Sequence, residues 1–592
     1  MKEFFKYTGA TVFGLVIFMF VGTYLFLMLL GSFATLGQSS SKETTQIKEH
    51  SVYKLSLEGI VNERTSDDDK YASAFSGAMG NSSLSTMGLD DILSNIEKAA
   101  TNDKIDGIYL KCEKMQAGYA TRQEIRNALL KFKESGKFIV AYADTYSQSD
   151  YYIASVADKV CLNTKGSIDW RGLYSSYSFM KRLYDKLGVE IQVMKVGTFK
   201  SAVEPYILTS MSEPNRQQTQ VMLGDLWGEI TAAVAQSRNL SNEQLNLLAD
   251  RNLIFEEADE CVKAGLADTL LYIEGMKDVL TELCHSDNYK LITHSKMNNL
   301  PSATKTDKKS EKIAIVYASG EISDNGQSGI IGKDMVETID KICEDEEIKA
   351  VVFRVNSPGG SAYASEQIWY ALSRLKEKKP VVVSMGDYAA SGGYYISCNA
   401  DYIIAQPTTI TGSIGIFGIV PKIKGLTDKV GIDFDGVATN AHSGINTTMI
   451  QNGLSVEERA QMQKMVNNGY ELFTQRCADG RGMSQDQIKQ IAEGRVWTGK
   501  RALELNLVDS LGDINDAVKK AAQLAELTTY QTVDYPEPKD MLSRLLKALD
   551  LEATLDRMAA KRLGEKYEIL SSWEELAKQP TIQARMIDMT IE

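Results

Sequence analysis

The sequence predicts an α/β protein that contains two tandem copies of one fold behind a single membrane-spanning helix. Three observations predict it: self-similarity at a separation of 243 residues, short β-rich runs that alternate with helical segments, and a long apolar run near the amino terminus. The chain has 592 residues, 43% hydrophobic and 24% charged, which is typical of folded globular proteins. A single hydrophobic core rarely extends over this length, so we expect separate domains.

The self-similarity places two related segments in each half of the chain. Ile105 begins IDGIYLKCEKMQAGYATRQEI and Ile348 begins IKAVVFRVNSPGGSAYASEQI, 243 residues later. Tyr142 begins YADTYSQSDYYIASVAD and Met385 begins MGDYAASGGYYISCNAD at the same separation. One offset shared by several segments indicates a tandem repeat. We therefore expect these divisions: anchor 1–36, tether 37–50, first repeat 51–300, linker 301–312, second repeat 313–525 and a C-terminal helical extension 526–592.

Each repeat is expected to alternate strands and helices. The runs at 350–355 (AVVFRV) and 381–385 (VVVSM) are continuously apolar, as in strands that are buried on both faces of a parallel sheet. Between them, residues 364–377 (ASEQIWYALSRLKE) have helical character. Alternating strands and helices indicate an α/β domain.

The amino terminus contains a candidate membrane anchor. The stretch Thr11 to Leu30 is almost entirely apolar, and twenty helical residues span the roughly 30 Å hydrocarbon core of a bilayer. The alternative is a cleaved signal peptide, whose apolar region is usually shorter, about 7–15 residues. Lys2 and Lys6 precede the run, so the amino end is expected in the cytoplasm and the rest of the chain outside it.

Composition disfavours two kinds of binding site. The net charge of −13 disfavours a nucleic-acid partner, because phosphate binding needs clustered positive charge. The seven cysteines are scattered and form no C-x-x-C pair, so they indicate neither a disulfide framework nor a thiolate metal site. The four histidines do not have the spacing of metal ligands. We therefore expect no cofactor.

The differences between the copies point to a reactive site. Ser391 follows a β-rich run at the start of AASGGYYISC, where the first copy has Gln148. A serine at the start of a helix is either a nucleophile beside oxyanion-stabilising backbone N–H groups or a helix N-cap. Upstream, Pro358-Gly359-Gly360 stands where the first copy has Met115-Gln116-Ala117. This run is either a loop whose backbone amides lie close to a bound substrate or a simple turn.

A candidate base lies in the other copy. Lys200, in VGTFKSAVEPY, corresponds to Ser443 of the second copy. Such a lysine is either a surface residue or, if it is desolvated, a neutral amine that acts as a base. His442, beside Ser443, gives an alternative Ser–His arrangement.

The motifs RVNSPGGS, MGDYAASGGYYIS, TGSIGIFG and VGTFKSAVEPY resemble the long, tandem-repeat form of signal peptide peptidase A, the membrane-bound serine peptidases also called protease IV. The resemblance covers roughly residues 50–530. It implies a ClpP/crotonase-type fold of repeated β-β-α spiral units and a catalytic dyad shared between the repeats. It assigns Ser391 as nucleophile, Lys200 as general base and Ser413 as the residue that orients the lysine.

The resemblance further implies an oxyanion or substrate-binding role for Gly359, Gly360 and Gly392. It implies that the substrates are signal peptides left in the bilayer of a bacterial inner membrane. It also implies that the catalytic domains lie in the periplasm and that the protein assembles as a homotetramer. Two alternatives stay open at this point, an acyl-CoA enzyme on the same scaffold and a catalytically dead membrane scaffold.

Overall fold

The computed structural model describes residues 47–65, 86–301, 310–326, 328–537, 581–586 and 590–591, with the isolated residues 14, 19 and 21. All but three residues of the expected membrane-spanning run at 11–30, and most of the tether, therefore lie outside the described residues. Among the residues that are described, no helix combines the length and the apolar character needed to cross a bilayer.

The first repeat alternates strands and helices as expected. Its strands are β1 (Ser51–Asn62), β2 (Thr86–Gly88), β3 (Ile105–Gln116), β4 (Phe138–Tyr146), β5 (Lys159–Ile168), β6 (Ser175–Ser176), β7 (Glu190–Lys195), β8 (Thr269–Leu270) and β9 (Lys290–Thr293). Its α-helices are α1 (Leu89–Thr101), α2 (Tyr119–Lys133), α3 (Gln148–Ala154), α4 (Lys181–Leu187), α5 (Glu204–Ile207), α6 (Glu213–Arg238), α7 (Asn242–Arg251), α8 (Ala258–Lys263), α9 (Met276–Cys284) and α10 (His294–Asn298).

The second repeat follows the same plan. Its strands are β10 (Glu311–Ser319), β11 (Ile322–Ser323), β12 (Ile330–Ile331), β13 (Ile348–Ser357), β14 (Gly359–Ser361), β15 (Val381–Ala390), β16 (Tyr402–Ala405), β17 (Ile410–Gly412), β18 (Phe417–Lys422), β19 (Val496–Thr498), β20 (Ser510–Leu511) and β21 (Tyr530–Tyr535). Its α-helices are α11 (Gly332–Glu344), α12 (Ala362–Lys376), α13 (Gly392–Tyr395), α14 (Lys424–Val430), α15 (Ile445–Asn452), α16 (Val456–Arg481), α17 (Gln485–Ile491), α18 (Gly499–Glu504) and α19 (Ile514–Leu524).

Each repeat has its own buried, largely parallel sheet. The first sheet has the order β2-β1-β3-β4-β5-β8 with β9 beside β1, and all its pairings are parallel. The second has the order β19-β17-β15-β13-β10-β21, with β16 paired to β15 and β20 paired to β16; among its described pairings only β17–β19 is antiparallel. Helices α2 and α12 begin and end 243 residues apart. The tandem α/β architecture is therefore confirmed.

A third sheet joins the two repeats. Its order is β12-β11-β14-β22-β18-β7, where β22 (Ile582–Arg585) comes from the carboxyl end of the chain. Strand β7 of the first repeat pairs antiparallel with β18 of the second, with Lys195 opposite Phe417. This pairing brings the segment that follows β7 against the second repeat.

A buried ion network also fixes the repeats against each other. The Arg354 guanidinium has no exposed surface and lies 2.7 Å from a carboxylate oxygen of each of Glu63 and Glu124, both in the first repeat. Burial raises the pKa of Glu124 to about 7, and the positive charge of Arg354 opposes that rise. Nearby, Asp387 accepts hydrogen bonds from the backbone N–H and the hydroxyl of Thr121, both at 2.8 Å.

The expected helical extension is described only in part, and that part consists of strands. β21 pairs in parallel with β10, β22 belongs to the third sheet, and β23 (Thr590–Ile591) pairs antiparallel with β6. The amphipathic segment at 541–563, which suggested helix, lies outside the described residues. For the described part of the extension, the expectation of helix was wrong.

Candidate active site

Ser391 lies at the junction of β15 and the short helix α13. Its φ is 55° and its ψ is −112°, a conformation that few residues other than glycine adopt. Its N–H donates to the Gly412 carbonyl at 2.8 Å, and its carbonyl accepts from Tyr395 N–H at 2.8 Å. Its side chain makes no cap hydrogen bond to the helix, so the N-cap interpretation of this serine is wrong. The strained backbone instead directs the hydroxyl toward Lys200.

Lys200 reaches this serine from the first repeat. It follows β7 and immediately precedes a single 3₁₀ turn, Ser201–Val203. Gly494 has a φ of 78° and packs against the lysine so closely that a Cβ there would lie 2.6 Å from Lys200 Cβ. The lysine is 1% exposed, so it is not a surface residue.

The amine of Lys200 lies among three oxygen atoms. Its Nζ is 2.8 Å from Ser391 Oγ, 3.0 Å from the Ser413 carbonyl oxygen and 3.1 Å from Ser413 Oγ. Ser413 also has a positive φ, 50°, and its N–H donates to the Arg495 carbonyl at 2.7 Å. A neutral amine has two N–H donors and one lone pair, so three oxygen partners match its hydrogen-bonding capacity.

The surroundings favour the neutral form of this amine. Burial lowers the pKa of Lys200 well below the ordinary lysine value of 10.5, because the charged form would lose its hydration. None of the three neighbouring oxygens belongs to a carboxylate. A neutral amine at hydrogen-bonding distance from a hydroxyl is able to remove its proton.

The three glycines expected at the site lie beside the serine. Gly359 has a φ of 102°, and a Cβ on it would lie 2.8 Å from the Gly392 nitrogen. Gly360 has a φ of 152° and pairs with both Ile322 and Ala584 in the third sheet. The strand that contains Gly359 and Gly360 thus runs alongside the residue that follows the serine.

In each repeat, the residue that corresponds to the reactive group of the other repeat makes different contacts. Gln148, the counterpart of Ser391, accepts hydrogen bonds from the N–H groups of Arg171 and Gly172 at 3.1 and 2.9 Å. Ser443, the counterpart of Lys200, is exposed and accepts from Asn440 N–H at 3.1 Å. The neighbouring His442 lies on the surface, 2.9 Å from Glu458, so the structure gives no support to a Ser–His pair.

The described residues contain no group of three or more His, Cys, Asp or Glu side chains that could hold a metal ion.

Comparison with known proteins identifies the family. The model of peptidase family S49 matches the chain twice, over residues 131–287 and 373–528. The chain belongs to peptidase family S49. The two matches fall in the two repeats, one on each side of the linker.

Relatives of this S49 peptidase match it over most of its length. Protease 4 of Salmonella typhi is 35% identical over 89% of this chain and 86% of the relative. Protease 4 of Haemophilus influenzae is 33% identical over 85% of this chain and 83% of the relative. The chloroplastic serine protease SPPA of Arabidopsis thaliana is 29% identical over 91% of this chain and 78% of the relative. The resemblance read from the motifs is confirmed: the protein is a serine peptidase, which disfavours acyl-CoA chemistry.

Sequence reasoning missed what holds the site of this S49 peptidase together. It did not find the β7–β18 pairing or the Arg354 network, and it did not place any part of the carboxyl end near Ser391. The buried position of Glu63 and Glu124 has no signature in the sequence, since both lie among ordinary polar neighbours.

Proposed function

We propose that this S49 peptidase is a membrane-anchored endopeptidase that uses Ser391 as nucleophile and Lys200 as general base. The observation that supports this most strongly is the 2.8 Å distance between Lys200 Nζ and Ser391 Oγ, with both side chains buried. Serine hydroxyls are weak nucleophiles until an adjacent base takes their proton, and a desolvated lysine is such a base.

The proposed reaction has two steps. As Ser391 Oγ attacks a peptide carbonyl, its proton moves to the neutral Lys200 amine, and a tetrahedral oxyanion forms. The C–N bond then breaks, the leaving amine takes the proton from Lys200, and an acyl-enzyme is left. Water attacks the acyl-enzyme while Lys200 accepts its proton; the bond between Ser391 Oγ and the acyl carbon then breaks, Lys200 returns the proton to Oγ, and the acid product leaves.

Three further groups support these steps. Ser413 offers the amine a hydroxyl and a carbonyl oxygen, which hold its two N–H bonds and leave the lone pair directed at Ser391. The backbone N–H groups of Gly359 and Gly392 are the proposed oxyanion donors, because donors aimed at a developing negative charge lower the barrier. Gly359 N–H donates to Ser357 Oγ at 3.2 Å in this structure, so the proposal requires that bond to be exchanged for the substrate oxyanion.

The proposed substrates are signal peptides in or near the bilayer of a bacterial inner membrane. The support is the apolar run from Thr11 to Leu30, which would tether periplasmic catalytic domains close to such apolar segments. A peptide in extended conformation would add to the strand edges beside Ser391. Assembly as a homotetramer is part of the same proposal and is tested by sedimentation of the detergent-solubilised full chain.

The proposal is tested by labelling with a serine-directed fluorophosphonate. We expect the label on Ser391, located by mass spectrometry of the digested protein, and much slower labelling of the Lys200→Met variant. In parallel, the full chain reconstituted in vesicles should cleave a synthetic signal peptide, and the Ser391→Ala variant should not. Label on another serine, or cleavage by Ser391→Ala, would contradict the assignment.

A further inference from the structure

Arg495 lies close to the proposed catalytic pair without belonging to it. It immediately precedes β19, and its carbonyl oxygen accepts a hydrogen bond from the N–H of Ser413, the serine that contacts the Lys200 amine. The Arg495 guanidinium lies over two aromatic rings, with Cζ 4.9 Å from the centre of the Phe199 ring and 4.4 Å from that of Trp497. Phe199 belongs to the first repeat and immediately precedes Lys200, so both repeats contribute to this group.

Hydrogen bonds hold the two aromatic residues in place. Trp497 Nε1–H donates to the Ile491 carbonyl at 2.9 Å, which fixes the orientation of the indole ring. The backbone of Phe199 is bonded on both sides: its N–H donates to the Glu493 carbonyl at 3.0 Å, and its carbonyl accepts from Gln218 Nε2 at 3.1 Å. A guanidinium held over fixed rings is pre-organised, so it loses little freedom when it binds a partner.

The guanidinium has no anionic partner within the part of the chain that the structure describes. The carboxylate of Glu493, two residues earlier, accepts instead from Thr198 N–H at 3.4 Å. The next arginine, Arg501, shows the contrast, because its guanidinium lies 2.8 Å from the Asp225 carboxylate. Burial lowers the pKa of Arg495, and the positive charge of Arg501 lowers it further. A half-buried cation without a counter-ion gains stability when an anion binds to it.

The chemistry of the group favours a carboxylate as that anion. The planar fork of N–H donors on a guanidinium matches the two oxygen atoms of a carboxylate. Arg495 offers a single uncompensated charge, since the neighbouring Arg501 already contacts Asp225. One negative charge, as on a carboxylate, is therefore enough to neutralise the group.

The position of Arg495 indicates which part of a peptide it would contact. In the proposed reaction Lys200 gives its proton to the leaving amine, so the part of the peptide that follows the cleaved bond lies on the lysine's side of Ser391. Arg495 lies on that side, because its guanidinium contacts the ring of Phe199 and its carbonyl is bonded to Ser413. A carboxylate bound there belongs to the leaving fragment.

We propose that Arg495 binds a carboxylate of the leaving fragment, either its free carboxyl end or an acidic side chain, and is thereby a specificity-determining residue of this enzyme. A signal peptide that has been cut from its protein ends in a free carboxyl group, whereas the uncut precursor continues there as a peptide chain. A carboxylate site on the leaving-group side favours the cut peptide over the precursor. The inference rests on the proposed function, since it assigns the substrate class of the same site.

The first test measures binding without turnover. The full-length Ser391→Ala protein in detergent is titrated by calorimetry with a synthetic apolar peptide that ends in Ala-Leu-Ala with a free carboxyl group, and with the same peptide as its carboxamide. We expect the acid to bind about tenfold more tightly than the amide, because a charge-assisted hydrogen bond contributes this much or more. In the double variant Ser391→Ala/Arg495→Met, the two peptides should bind with similar affinity.

The second test measures cleavage of the same two peptides. The ratio of kcat/KM for the acid to kcat/KM for the amide should be about ten in the unsubstituted enzyme and about one in Arg495→Met. Arg495→Lys keeps a positive charge without the planar fork, so it should keep part of the preference. Lys500→Met is the control, because it removes an exposed cation that is 2.7 Å from Glu229, and it should keep the original ratio.

A further pair of peptides distinguishes the two sources of the carboxylate. Both end in a carboxamide, and they have either Glu or Gln after the cleaved bond. A preference for Glu that depends on Arg495 assigns the site to an acidic side chain. A preference for the free acid in the first pair, without a preference for Glu in this pair, assigns it to the carboxyl end.

The outcomes separate this inference from the proposed function. If Ser391-dependent hydrolysis is present but Arg495→Met keeps every preference, or the unsubstituted enzyme has none, the inference is wrong. An equal loss of kcat/KM for all peptides, with a lowered melting temperature, would mean that Arg495 only joins the repeats. An effect of Arg495→Met confined to binding of phosphatidylglycerol vesicles would assign it to a lipid phosphate instead. If no peptide is hydrolysed and Ser391 is not labelled, the proposed function fails, while calorimetry still decides whether Arg495 binds a carboxylate.

Discussion

Replacing Lys200 by methionine is predicted to abolish activity while raising the stability of the protein. Methionine keeps a long unbranched side chain in a position where the lysine is 1% exposed, so the packing changes little. The change removes the amine that lies 2.8 Å from Ser391 Oγ. General-base catalysis contributes about 10²–10⁴ in rate, so kcat/KM should fall about a thousandfold, or about 4 kcal/mol in the barrier.

The effect on stability has a definite dependence on pH. The pKa of Lys200 is lowered in the folded chain and close to 10.5 in the unfolded chain. Above pH 10.5 the amine is neutral in both states and there is no penalty. As the pH falls below that value, only the unfolded chain takes up the proton, so the folded wild type loses stability by about 1.4 kcal/mol per pH unit until the folded pKa is reached. The methionine variant has no such penalty.

The assay is urea unfolding of both proteins at several pH values between about 7 and 10, with peptide hydrolysis measured on the same preparations. The stability advantage of Lys200→Met should grow as the pH falls. A difference that does not change with pH would refute the lowered pKa, and hydrolysis retained in the variant would refute the role of the lysine as base. Lys195→Met serves as a control, because this lysine is half-buried at the end of β7 and has no assigned role.

Four further predictions follow from the same geometry. Hydrolysis by the wild type should rise with pH through the lowered pKa of Lys200 and level off below pH 10.5, since only the neutral amine accepts a proton; a rate that falls over this range would contradict it. Ser413→Ala should lower kcat about tenfold by removing the oxygen 3.1 Å from Nζ, while an unchanged kcat would show that the carbonyl alone orients the amine. Ser443→Ala should leave both kcat and KM unchanged, because this serine is exposed, and a loss like that of Ser391→Ala would reverse the assignment of the two repeats. Arg354→Met should lower the free energy of unfolding by about 3–5 kcal/mol, measured by urea denaturation, because it leaves two buried carboxylates without their cation; a loss below about 1 kcal/mol would mean that they are satisfied by other groups.

The sequence contains enough information to predict the repeat and the residues that meet. The constant offset located α2 and α12 at corresponding positions, because local apolar patterns are preserved when a fold is duplicated. The reciprocal differences between the copies marked Ser391 and Lys200 as candidates, and the resemblance of their motifs to a known family implied that the two meet as nucleophile and base.

The pairing that brings the lysine to the serine could not be predicted in the same way. Strand β7 has no counterpart strand in the second repeat, where residues 433–438 are irregular and exposed, so the repeat gave no second example of its partner. Pairing between distant strands is determined by the completed fold and not by local pattern.

The strand at the carboxyl end was missed for a local reason. Ile582–Arg585 is a run of only four residues, too short for an alternating pattern to be distinguished from one turn of helix. The helical periodicity of the preceding residues 541–563 is the stronger signal in this part of the sequence, so the sequence favours helix for the whole extension. Likewise, Glu63 and Arg354 are separated by almost 300 positions, and a single charged residue does not indicate such a distant partner.

The antiparallel pairing of β7 with β18 has a consequence for the behaviour of the enzyme in dilute solution. Amine and hydroxyl belong to one polypeptide, so their encounter is unimolecular and their local concentration is independent of how many molecules are present. Each chain therefore carries both groups of the proposed pair when it stands alone. If the specific rate falls on dilution, the cause has to be sought in the approach of the substrate or in contacts between copies, and not in separation of the two groups.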